Sequence, residues 1–123
     1  MAYAQQHGIG VIVYSPMGSG LLTGGITRER IAAMAADDWR KTDARFTEPL
    51  LSQHLALADR LRAVARRYGT TPGAVAVAVA WTLRNPAVDG AITGFRRADQ
   101  VDPIAAGANL ELTDQDVAEI EGR

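Results

Sequence analysis

Cysteine is absent from the 123 residues, which excludes disulfides, thiolate metal sites and a cysteine nucleophile and permits a reducing compartment. Histidine is scarce. His7 and His54 lie in separate helical segments with no companion ligand nearby in sequence, so no metal centre is expected. Neither charge sign prevails: 13 basic and 14 acidic residues give a formal net charge of -1, which favours neither nucleic acid nor a membrane surface. No apolar run approaches the roughly 20 residues needed to cross a bilayer, and the opening Met-Ala-Tyr-Ala-Gln-Gln-His has neither the basic nor the apolar region of a signal peptide. The expected location is the cytoplasm.

What is present is an ordinary globular composition, 47% hydrophobic and 22% charged. A chain of this length suits one modest domain with a single core.

Ala2 to His7, followed by Gly8, reads as the last turns of a helix with a glycine stop, so the chain reads as opening inside an element. Ile9 to Tyr14 is apolar and β-branched and is closed by Pro16 and several glycines, the pattern of a parallel strand buried on both faces. Thr27 is placed to cap a short helix reaching Met34; Asp37 to Phe46 reads as an irregular surface loop, with Asp37-Asp38 a solvated acidic turn. In Leu50 to Tyr68, the residues Leu57, Leu61, Val64, Ala65 and Tyr68 form one helical stripe, and Gly69 stops it. Thr71-Pro72 opens a further helix and Asn85-Pro86 closes it. Ala74 to Trp81 is apolar on most sides and is expected to be well buried. Val88 to Thr93 is a second strand, Arg97 to Ala106 a helix weakened by Pro103, and Thr113 the cap of a last helix with Asp114 and Asp116 in its first turn. The order gives two successive βα units of an α/β fold.

The two loops that follow the strands are the candidates for chemistry, because both lie at one edge of one sheet, where α/β folds collect ligands. Gly18 and Gly20 begin a dinucleotide fingerprint that fails at Thr23, and Gly20 to Gly25 has P-loop spacing but Ile26 where lysine belongs. Without either grip, the stretch is by itself only a glycine-rich turn. Gly94-Phe95-Arg96-Arg97 suits a phosphate, through backbone N–H groups and forked guanidinium bonds, or else is a solvated basic pair near Asp99 and Asp102. Ser15 and Ser19 have no base partner within their motif, and periodicity leaves open whether Tyr14 is a core aromatic or a ring offered to a ligand.

Val11-Ile-Val-Tyr-Ser-Pro-Met-Gly-Ser-Gly-Leu-Leu-Thr-Gly resembles the segment at the seventh barrel strand of the aldo/keto reductases. Thr71-Pro-Gly-Ala-Val-Ala with Trp81-Thr-Leu is similar to a late helix of that family, and Ile92-Thr-Gly-Phe-Arg-Arg-Ala-Asp-Gln-Val to its eighth strand and phosphate loop. The resemblance implies an α/β fold, the C-terminal portion of a (β/α)8 TIM barrel with about two of its eight strands, so that residues 1–123 form one partial barrel domain. It implies NADP(H) lying extended across the C-terminal face without a Rossmann domain. Tyr14 matches an aromatic stacked on the nicotinamide. Ser15, Pro16, Met17, Gly18, Ser19 and Gly20 match positions along the ribose and pyrophosphate. Gly94, Phe95, Arg96 and Gln100 match positions around the adenosine 2′-phosphate, with Arg96 its charge partner.

The departures carry expectations too. The lysine that frequently follows Leu-Leu-Thr-Gly is here Gly25, the acid and amide near the adenine are Pro103 and Ile104, and Arg40 or Arg45 is the candidate for the loop arginine that closes over the cofactor. No segment matches the family's Asp, Tyr, Lys and His tetrad. The resemblance thus implies that the whole enzyme reduces a carbonyl to an alcohol with hydride from NADPH, and that this chain alone is inactive. The alternative is a non-catalytic fragment or binding subunit, and an isolated incomplete barrel is expected to be poorly stable or to self-associate.

Overall fold

The computed structural model describes residues 1–69 and 73–123; the Thr71-Pro72 helix start lies outside them. The elements run α1 (Ala2–Gln6), β1 (Ile12–Tyr14), α2 (Arg28–Ala32), α3 (Leu50–Arg67), α4 (Gly73–Leu83), β2 (Gly90–Ile92), α5 (Val101–Ala105) and α6 (Asp114–Glu121). Short 3₁₀ turns cover Gly18–Thr23, Trp39–Lys41, Ala44–Phe46, Ala98–Gln100 and Ala106–Asn109.

β1 and β2 pair in parallel, with Ile12 opposite Gly90, Val13 opposite Ala91 and Tyr14 opposite Ile92. Two parallel strands need a long crossover, and α2, α3 and α4 supply it. Both strands are shorter than the apolar runs that contain them; among the described residues each pairs only with the other, so the ladder extends only as far as their shared register. Beyond the ladder, Asp89 N–H donates to the Val11 carbonyl (2.8 Å), and the Asp89 carboxylate accepts from Val11 N–H (2.7 Å). Burial of β1 on both faces is not found. Ile12, Tyr14 and Ile92 are 67%, 81% and 62% exposed. In-register residues of a parallel pair share a face, so one side of this sheet is bare, while Val13 and Ala91 on the other are half-buried, with α4 against β2.

The main core forms where the α3 stripe meets α4 and α6: Leu61, Val64, Ala65, Ala74, Val77, Ala78 and Ile120 are buried together. Ala74 and the residues from Ala76 to Ala80 in α4 are buried as its composition predicts, whereas Trp81, expected to be buried with them, is 43% exposed because it lies at the end of the helix away from the core. Gly107 lets α4 come close to the turn after α5. A Cβ on Gly107 would stand 2.7 Å from both the Ala76 carbonyl oxygen and the Val79 Cβ. A second cluster, Leu21, Ile26, Ile31, Phe46 and Leu51, holds the segment after β1.

Three expectations are corrected here. Asp37 to Phe46 is not irregular: the Asp38 and Asp43 side chains cap two 3₁₀ turns by accepting from Arg40 N–H and Arg45 N–H, and Phe46 is buried. Asp38 is no solvated turn residue, since its side chain and that of Arg40 are 18% and 19% exposed. The helix after Arg97 divides into a 3₁₀ turn and α5, which places Pro103 in the first turn of α5, where its missing N–H has no intrahelical partner to lose.

Candidate functional site

The segment after β1 is shaped by backbone that ordinary residues avoid. Ser15 and Ser19 have φ of 57° and 55°, and Gly18 and Gly20 have φ of 55° and 99°. Left-handed backbone costs an L-residue roughly 1–2 kcal/mol, so the two serines persist because neighbouring bonds over-determine the turn. Gly18 N–H donates to the Ser15 carbonyl (3.0 Å), and Gly20 N–H and Leu22 N–H both donate to the Met17 carbonyl (3.1 Å each). Leu21 then anchors the turn in the core. A Cβ on Gly20 would meet nothing within 4 Å, whereas one on Gly18 would touch Leu21 and Leu22.

The segment after β2 is organised by Gln100, whose Oε1 accepts from Arg96 N–H (2.8 Å) and Arg97 N–H (3.2 Å). The adjacent arginines then have different fates. Arg97 forks onto Asp99, with Nε to Oδ1 at 2.9 Å and Nη2 to Oδ2 at 3.0 Å, so its charge is locally neutralised. Among the described residues Arg96 takes part in no ion pair. A Cβ on Gly94 would meet nothing within 4 Å.

The two segments line one cleft of about 860 Å³, within the roughly 300–1,000 Å³ range of small-molecule sites. Tyr14, Ser15, Met17, Ser19 and Gly20 reach it from the first segment, and Gly94, Phe95, Arg96 and Gln100 from the second. Pro16 and Gly18 are not part of its lining; they belong to the turn beneath it. Tyr14 is a ring exposed to the cleft rather than a core aromatic.

A third wall runs from Asp37 to Arg40; of its residues only Arg40 was a candidate from the sequence, and Asp37, Asp38 and Trp39 were not. Of the two candidate loop arginines, Arg40 lines the cleft. Arg45 instead forks onto Asp43 and lies 5.8 Å over Trp39 and 6.0 Å over Phe46. Arg40 donates from Nε to Asp38 Oδ1 (2.9 Å) and from Nη2 to Asp38 Oδ2 (2.5 Å). Those side-chain bonds, the Arg40 N–H bond and the nearby charge of Arg96 outweigh burial and hold the Asp38 carboxyl at about 2. The signal was the doubled spacing Asp38-Trp39-Arg40 and Asp43-Ala44-Arg45, in which a carboxylate two residues before an arginine can both cap a turn and pair with it. Arg30 adds another cation: its Nη1 donates to the Gly25 carbonyl (2.9 Å) on the same lining.

The model of the aldo/keto reductase family matches residues 1–122. The chain is 30% identical over 121 residues to aldo-keto reductase YhdN of Bacillus subtilis (strain 168), covering 98% of this chain and 35% of that protein. It is 26% identical over 117 residues to aldo-keto reductase str7 of Strobilurus tenacellus, covering 95% and 34%. The structure of the glycerol dehydrogenase AKR11B4 from Gluconobacter oxydans superposes with a TM-score of 0.83 at 30% identity, over 98% of this chain and 36% of that one. The chain therefore spans about a third of the length of these relatives, and its two parallel strands with their helices are part of a (β/α)8 barrel.

Proposed function

Because the chain belongs to the aldo/keto reductase family, we propose that it is the C-terminal, NADP(H)-binding portion of a carbonyl reductase, residues 1–123 forming one partial barrel domain. The observation that carries the reading is the convergence of both post-strand segments on one cleft in which Arg96 is free of ion pairs among the described residues. The residues present fit a nicotinamide nucleotide. Open space stands beside Gly20 and Gly94, where a backbone can approach a ligand, and the exposed Tyr14 and Phe95 offer flat apolar surface.

When bound, NADPH supplies the hydride that reduces a carbonyl to an alcohol. The chain's own residues bind and orient. Tyr14 offers its ring to the nicotinamide, the Ser15 to Gly20 turn follows the ribose and pyrophosphate, and Gly94, Phe95, Arg96 and Gln100 surround the 2′-phosphate. Such positioning lowers a barrier by prepaid entropy rather than by bond-making. No segment here matches the tetrad that moves the proton, so that step belongs to residues outside this sequence. A non-catalytic binding fragment is the second reading, favoured by the bare sheet face.

Arg96→Ala tests the assignment. Losing a charged partner of a phosphate costs about 1.5–3 kcal/mol, so NADPH affinity is expected to fall tenfold or more while NADH affinity changes little. Equal losses for both nucleotides would remove the 2′-phosphate from this position.

A further inference from the structure

The Asp38–Arg40 pair has no part in the reading above, yet it lines the same cleft as Arg96 and Gln100. Both oxygens of Asp38 are engaged: Oδ1 accepts from Arg40 N–H (3.1 Å) and Nε, and Oδ2 from Nη2. The guanidinium of Arg40 thus spends two of its three nitrogens on an internal carboxylate, leaving Nη1 for a ligand. Arg97 is similarly occupied by Asp99. Around Arg96, then, two further arginines carry charge that two aspartates cancel locally.

We propose that Asp38 sets nucleotide selectivity: by sequestering Arg40 in an internal ion pair within the cleft that Arg96 lines, it tempers the grip of the cleft on a 2′-phosphate. The physical reason is competition between anions. A 2′-phosphate arriving at Arg96 meets the like charge of Asp38 and finds Arg40 already paired. Removing the Asp38 charge takes away the repulsion and frees a fork for the phosphate.

This inference rests on the nucleotide-binding reading, and its test separates the two. The 123-residue chain is titrated with 2′,5′-ADP and with 5′-AMP, following tryptophan fluorescence, since Trp39 lines the cleft. Asp38→Asn and Asp38→Ser both keep an oxygen able to cap the Trp39–Lys41 turn, so failure of one variant to fold leaves the other. The expected result is about a fivefold to tenfold gain in 2′,5′-ADP affinity at low salt, with less than a twofold change for 5′-AMP, the gain shrinking at about 0.5 M salt. If the unaltered chain prefers 2′,5′-ADP and Arg96→Ala abolishes that preference, but the Asp38 variants bind it equally or more weakly, the inference is overturned and the reading beneath it stands. If the unaltered chain binds neither nucleotide, or Arg96→Ala leaves its preference intact, the reading fails and the inference falls with it.

Discussion

Asp116 is 3% exposed, and its carboxylate accepts from Thr113 N–H (3.0 Å), the Thr113 hydroxyl (2.6 Å), the Tyr68 hydroxyl (2.5 Å) and Arg67 Nη1 (2.8 Å). Burial pushes this carboxyl up, but the bonds from Thr113, Tyr68 and Arg67 prevail and hold it at about 2, below its ordinary 3.8. A carboxyl depressed in the folded state adds stability that is complete above its unfolded value and is lost as pH falls through its folded one. Stability is therefore expected to decline as pH falls from about 4 toward 2, and Asp116→Asn to flatten that decline, read as denaturant midpoints against pH. At neutral pH the variant is expected to lose about 1–3 kcal/mol, because its amide cannot accept all four bonds. Thr113 as the cap and Asp116 in the first turn were legible in the sequence; their reciprocal bonding was not read there. The reach to Tyr68 was not, because a contact across 48 residues leaves no local pattern. Arg96 and Arg97 teach the same lesson: two identical neighbours differ in availability only because Asp99 takes one of them.

Elements with a strong period were readable and elements built from capped turns were not. The α3 stripe and the apolar α4 lie where their patterns require. The Asp37 to Phe46 segment is built from 3₁₀ elements of three residues each, too short to show a period, so its order came from side-chain caps and the buried Phe46, and the contribution of Asp37, Asp38 and Trp39 to the cleft stayed hidden although Arg40 was a candidate. Tight packing of α4 against the turn after α5 gives a prediction at this scale. Gly107→Ala places a methyl group 2.7 Å from backbone and β-carbon atoms of α4 and is expected to destabilise by about 1–3 kcal/mol, seen as a lower thermal midpoint. Thr113→Ala, which removes the hydroxyl accepting from Asp116 N–H (3.1 Å), is expected to cost about 1 kcal/mol by the same measurement.

For the whole molecule, the decisive feature is the two-stranded sheet with one bare face. Ile12, Tyr14 and Ile92 stand exposed, and among the described residues the two strands have only each other as partners. Open edges and uncovered apolar surface favour association. The 123-residue chain is expected to sediment as more than a monomer; a monomer that unfolds cooperatively would contradict this. Without the tetrad, carbonyl reduction by the purified chain is expected to be undetectable. The two βα units were legible in the order of strands and loops, and the barrel only through the resemblance of their motifs to the aldo/keto reductases; the bare face was not legible, because an apolar β-branched run reads as buried whether or not anything covers it.

The central claim is that the segments after β1 and β2 form one nucleotide site. It is tested most directly by adding NADP⁺ to the ¹⁵N-labelled chain and mapping which amide and indole resonances move. The account predicts saturable shifts with one common affinity at Gly18 to Gly20, at Gly94 to Gln100 and at the Trp39 indole. Shifts confined to one segment, or concentrated in the smaller groove formed by Gly24, Ala58 and Arg62, would contradict it.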